Sequence, residues 1–191
     1  MPLPLYLLGA SIVAGMAANN ANKKTLEVLN TRKLVTSNTQ APAVQVGPNS
    51  YIADRQHLHH SKPVKGSVVC CEVFHELEHT GIWLDSDCII EFSDNGLIKA
   101  LSAERFLKNR SGKEIYVACN NLGEPLADPN VADKALKMVF TYQEYDLLKN
   151  NCHSFVASFF GPTKNVVTFG ELNKTLLDKY RRDIYWDKVK V

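Results

Sequence analysis

Apolar and polar positions alternate between two regimes along the chain. An apolar run from Leu3 to Ala18 comes first, and after it the hydrophobic residues fall into short clusters separated by turn formers. Residues 25–35, TLEVLNTRKLV, place Leu26, Leu29 and Lys33 or Leu34 near helical spacing and predict a short amphipathic helix. Residues 36–62, with Pro42, Gly47-Pro48 and many Ser, Asn and Gln, predict a linker, so the compact domain is expected from about Pro63. GSVVCCEVF (66–74) and HTGIWL (79–84) are β-rich, Asp85-Ser86-Asp87 is a turn into the strand CIIEF, and Asp94-Asn95-Gly96 is a second tight turn. Ser102 is placed to cap a short helix, AERFLKN, and EIYVAC predicts another strand.

Asp128-Pro129 has the form of a helix start, with Val131, Ala132, Ala135, Leu136 and Val139 as its buried stripe. Phe155, Val156, Phe159 and Phe160 repeat at helical spacing until Gly161-Pro162. Thr168-Phe169-Gly170-Glu171 has capping-box form and opens a last helix bearing Leu172, Leu176 and Tyr180. Strands clustered between helices predict the α+β class, with one domain over 63–191 ending in that helix.

Composition narrows the function classes. At 191 residues there is enough chain for one domain and its extension, and a net charge of +2 gives no general case for a nucleic-acid partner. The five cysteines, Cys70, Cys71, Cys88, Cys119 and Cys152, are odd in number and form no CxxC pair, which argues against a disulfide framework. The apolar segment of 1–24 is about 16 residues long, short of the roughly 20 that span a bilayer as a helix, and no Lys or Arg precedes it. It reads as an export signal, a membrane-associating helix or a helix packed on the domain; outside the first two, the expected location is cytoplasmic.

His75-Glu76-Leu77-Glu78-His79 spells HExxH, the pattern of zinc proteases. That chemistry needs a helix, so that positions i and i+4 bring both imidazoles to one metal. Here Val68-Val69 and Gly81-Ile82-Trp83-Leu84 flank the motif, and those flanks predict strand. No third ligand stands out downstream, so no metal is expected there. His57, His59 and His60 form a loop cluster that reads as solvated, and no cofactor is expected.

Cys152 differs from the other cysteines because polar residues surround it in KNNCHSF. It precedes the apolar stripe of Phe155, Val156 and Phe159, which sets it on the first helical turn, where backbone N–H groups and the helix dipole favour a thiolate. His79 opens a strand, and Glu91, twelve residues on, falls on the expected antiparallel partner. A carboxylate there has the place of the third member of a catalytic triad.

Several stretches resemble the lecithin–retinol acyltransferase-like (LRAT-like) proteins, circularly permuted relatives of the NlpC/P60 and papain-like thiol enzymes. PVKGSVV is similar to the lead-in to that family's first strand, HTGIWLDSDCIIEF to its His-bearing hairpin, LSAERFLKNRSGKEIYV to the stretch that follows, and YQEYDLLKNNCHSFVASFFG to its cysteine box. The likeness runs in order from about Pro63 to Gly161. It implies a permuted papain-like (NlpC/P60-type) core: an antiparallel sheet with the cysteine-bearing helix packed on it. It implies Cys152 as nucleophile and His79 as base. Glu91 stands where the family has a second histidine, and His153 where its box has Glu.

The expected reaction is acyl transfer through a thioester, on lipid ester or amide bonds. The alternative substrate is a cell-wall peptide amide, cut by an exported antibacterial effector, and a third reading is a membrane-tethered interaction module without catalysis. His153 and Trp83 are candidate substrate contacts. Membrane contact is expected through residues 3–18, and the basic residues Lys179, Arg181, Arg182, Lys188 and Lys190 lean the same way, although a solvated helix face explains them as well.

Overall fold

The structure, a computed structural model, describes residues 60–190 except 75, 76, 121, 164 and 165. The expected helix over 25–35, the apolar segment of 1–24, nearly all of the linker, and His57 and His59 lie outside the described residues. Seven strands form one sheet: β1 (His60–Ser61), β2 (Val68–Val73), β3 (Leu77–Trp83), β4 (Cys88–Phe92), β5 (Ile98–Ser102), β6 (Ile115–Cys119) and β7 (Tyr185–Val189). Their order is β1-β7-β6-β2-β3-β4-β5, and every pair but β1–β7 is antiparallel. Four helices complete the described chain: α1 (Ala103–Leu107), α2 (Pro129–Leu136), α3 (Cys152–Ser158) and α4 (Phe169–Tyr180). The class is α+β, as the pattern predicted.

Local chemistry accounts for the central hairpin. β2 and β3 are rich in β-branched residues and pair from Val68↔Ile82 to Val73↔Leu77. Between β3 and β4, Ser86 and Asp87 both have positive φ (46° and 62°), and Cys88 N–H donates to Asp85 O at 2.8 Å. Two consecutive left-handed residues match the twist of the strands they join. β4 returns with Gly81↔Glu91, Ile82↔Ile90 and Trp83↔Ile89.

Alternation along the strands separates two apolar layers. Val68, Cys70, Ile82, Ile90 and Phe92 pack with Val131 and Ala135 of α2, Phe155 and Val156 of α3, and Leu172 and Leu176 of α4. On the opposite face Val69, Cys71, Trp83, Ile89 and Val117 pack with Phe106 of α1. Each such fully buried aliphatic or aromatic side chain contributes roughly 1.5–3 kcal/mol, which is what holds α3 against β3 and β4.

Two strands were not foreseen: β5, and β7, which lies where only basic residues after the last helix were noted. β7 forms because Trp186 has somewhere to go: its ring packs on Phe169 at 5.0 Å and its Nε1–H donates to Asn173 Oδ1 at 2.9 Å. Lys188 therefore sits on a strand, paired with Glu114 at 2.7 Å, and not on a helix face. Leu136 and Val139, expected in the buried stripe of α2, are not part of it: the helix ends at Leu136, which is 46% exposed, and Val139 is half-buried in the turn beyond. Among the described residues no helix is long and apolar enough to cross a membrane.

Candidate functional site

Cys152 is the first residue of α3, and the turn before it is fixed tightly. Asn151 caps the helix: its Oδ1 accepts from Ser154 N–H at 2.9 Å, while Ser154 Oγ accepts from Asn151 N–H at 2.8 Å. The other end of the same amide donates to Leu147 O at 2.8 Å and Val167 O at 3.0 Å, so two loops are tied to the point where the helix begins. Such a cap is worth about 1 kcal/mol, and here it also sets where the sulfur lies.

His79 is on β3, which disposes of the helical requirement of HExxH: residues 77–79 are strand, and His75 and Glu76 lie outside the described residues. β2 pairs with β3 back to Leu77, whereas the β3–β4 ladder ends at Gly81↔Glu91. His79 is thus two residues past the last β4 pair, on the same face as Glu91 and diagonal to it. Its Nε2–H donates to Glu91 Oε2 at 2.9 Å. The other ring nitrogen is left for Cys152, and the two side chains are hydrogen-bonded.

Gly81 makes room for this arrangement. A Cβ there would meet Ile89 Cγ2 at 2.7 Å, Ile90 O at 2.9 Å and Phe106 Cε2 at 3.2 Å. The Phe106 ring packs on the His79 imidazole at 5.3 Å, and the Arg110 guanidinium lies over the same ring at 4.7 Å. Arg110 donates to the Phe106 carbonyl and, at 2.7 Å, to Glu91 Oε2. Lys99, the cross-strand partner of Glu91 on β5, approaches Oε1 at 3.2 Å.

A carboxylate that is 1% exposed needs such company. Burial alone would raise the Glu91 pKa, but the hydrogen bond and charge of His79, with Arg110, lower it to about 2. Burial likewise opposes a charge on His79, yet Cys152 and Glu91 together raise its pKa to about 9. Cys152, 4% exposed, is desolvated too; the imidazoles of His153 and His79 outweigh that and pull its pKa well below the usual thiol value. These directions favour a thiolate beside an imidazolium, with a carboxylate behind. The other cysteines contrast with it: burial pushes Cys71 and Cys119 up to about 12.

Two further groups touch the sulfur. Tyr145 hydrogen-bonds Cys152 and packs on Phe92 at 5.0 Å, and burial and then the adjacent thiolate push its pKa up, so it remains a phenol. His153 hydrogen-bonds the thiol, its Nδ1 lies 3.2 Å from Thr80 Oγ1, and its ring packs on Phe169.

The structure thus brings together Cys152, His79, Glu91 and His153. Trp83, 5% exposed, packs in the layer around Phe106, the ring that also packs on His79. Sequence reasoning passed over Arg110, Lys99, Tyr145 and the Asn151 cap. For Lys99 a signal existed, because the turn at 94–96 sets 91 opposite 99. His60 is exposed on β1 at the far side of the sheet.

Comparison with protein-family models, with curated proteins and with solved structures gives no match to this chain.

Proposed function

We propose that this protein is a cysteine-dependent hydrolase or acyltransferase that works through a thioester, in a permuted papain-like arrangement. The observation that carries the proposal is the buried chain Cys152–His79–Glu91, in which a helix-borne thiol, a strand-borne imidazole and a carboxylate on the neighbouring strand are joined by hydrogen bonds. A structural cysteine would have its pKa raised by such burial, as Cys71 does.

In the proposed reaction the Cys152 sulfur attacks the carbonyl carbon of an ester or amide. The oxyanion that forms is met by the backbone N–H of Cys152, which at the first helical position has no intrahelical acceptor, and by the Tyr145 hydroxyl once the sulfur has lost its charge. His79 delivers its proton to the leaving alcohol or amine, and Glu91 keeps the ring in orientation throughout. Water, or a second alcohol or amine, then takes the acyl group.

A lipid acyl group is the substrate we favour. The segment that leads into the site exposes large apolar side chains, with Phe140 83%, Tyr142 71% and Leu147 46% exposed. Phe140 holds a positive φ of 67° while its N–H donates to Ile98 O at 2.8 Å, so the backbone is pinned to β5 while the ring faces solvent. Side chains of this type suit an interface with acyl chains better than a strongly polar cell-wall peptide.

Intact-mass spectrometry after mixing with a phospholipid bearing short acyl chains tests this. The expected product is a single acyl adduct on Cys152, absent from His79→Ala. No adduct with the phospholipid, but one with a cell-wall peptide amide, would shift the proposal to the alternative substrate; adduct formation unaffected by His79→Ala would sink the dyad.

A further inference from the structure

Cys152 has two imidazole neighbours that differ in access and in partners. His79 is 7% exposed and its Nε2 is committed to Glu91. His153 is partly exposed, and its Nδ1 meets the Thr80 hydroxyl at 3.2 Å. Thr80 is fully buried, where an unpaired hydroxyl is costly, so this bond fixes the ring's orientation. Phe169 packs against the same ring at a centroid distance of 5.7 Å. An ordinary solvated histidine on the first turn of a helix would have none of these restraints.

We infer that His153 is a second acid–base group of the site, serving release of the acyl group while His79 serves its capture; the inference rests on the thiol-enzyme reading above. After capture, the sulfur is acylated and His79 is neutral, having given its proton to the leaving group. In release, a water oxygen bonds to the acyl carbon and His153 takes one of the water's protons. The C–S bond then breaks, the sulfur departs as thiolate, and the nascent carboxylic acid gives its proton to His79. His153 passes the proton it holds to solvent, which its partial exposure permits. The sum is thioester plus water going to carboxylate, the restored thiolate–imidazolium pair and one solvent proton.

The test uses the full chain, p-nitrophenyl butyrate as probe, and His153→Gln. Expected are a nitrophenolate burst that persists, slowed by no more than about tenfold because the sulfur loses one of its two imidazole partners, and a steady-state rate lowered by about 100-fold, the ordinary worth of a general base. Butyryl-Cys152 should accumulate, and hydroxylamine, a nucleophile that needs no base, should restore turnover. Thr80→Val, which leaves the ring unheld, should show the same split more weakly. Burst and steady-state rates that fall in step, or no change in either, would overturn the inference and leave the thiol enzyme standing. A wild-type protein that neither forms the adduct nor exceeds Cys152→Ala in nitrophenolate release would overturn that underlying reading, and the inference with it.

Discussion

Replacing Glu91 by Gln removes a charge and keeps the shape. The carboxylate is 1% exposed and shared among His79 Nε2 at 2.9 Å, Arg110 at 2.7 Å and Lys99 at 3.2 Å. With charge centres about 4 Å apart and an effective dielectric constant of about 20, the imidazolium–carboxylate attraction is about 4 kcal/mol. Relaxation and water entry in the variant offset about half of that, so His79 loses ~2 kcal/mol, or about 1.5 pH units. From its value of about 9, His79 should then titrate at about 7.5. The variant also leaves Arg110, whose side chain is 15% exposed, beside a neutral amide, and should lose about 3 kcal/mol of stability. Titration of the imidazole C2 proton by NMR, with urea unfolding alongside, reads both. A folded Glu91→Gln protein whose His79 titrates within about 0.3 units of wild type would refute the coupling, because even a tenth of the Coulomb energy moves it that far.

Two more outcomes follow from the same geometry. The Glu91 pKa is lowered to about 2 on folding, so its contribution to stability is present above about pH 4.5 and lost as pH falls through 2. That of His79 is full below pH 6.5 and lost as pH rises through 9, while that of Cys152, whose pKa is lowered, grows with pH up to 9. Between 6.5 and 9 their slopes, each about 1.4 kcal/mol per pH unit, oppose one another, and urea unfolding should show a nearly flat stability profile. A steady fall across that window would mean that Cys152 is not a thiolate. Tyr145→Phe should lower kcat with p-nitrophenyl butyrate by about 100-fold with little change in KM, as loss of one oxyanion donor does, and an unchanged kcat would remove Tyr145 from that role.

The parts of this fold that the sequence made legible are those governed by local chemistry. The Asp85-Ser86-Asp87 turn, the Ser102 and Asp128 caps and the Thr168 cap each announce an element boundary through a side chain that bonds its own backbone. β5 escaped because only Ile98 on it is buried, while Lys99 and Leu101 are half-buried and Ala100 and Ser102 exposed. β7 escaped because its reason to form is distant: Trp186 needs Asn173 and Phe169, thirteen and seventeen residues earlier. The site divides in the same way. Cys152 follows from helix periodicity, and the placing of Glu91 near His79 from counting across one hairpin. Arg110 and Tyr145 reach the site through tertiary contacts that no periodicity announces. For Trp83 alternation gives a face, not depth: the residue shares the face of His79 and packs beside Ala103 and Phe106.

The proposed chemistry requires Cys152 to be a thiolate held by His79. The pH dependence of iodoacetamide labelling, mapped by mass spectrometry in wild type and in His79→Ala, measures this most directly. The prediction is that Cys152 alone among the described cysteines labels quickly below pH 7, and that the variant labels more slowly and with its midpoint moved toward the ordinary thiol value of about 8.5. Labelling of Cys152 no faster than a free thiol, and indifferent to His79, would contradict the account and leave the site without its nucleophile.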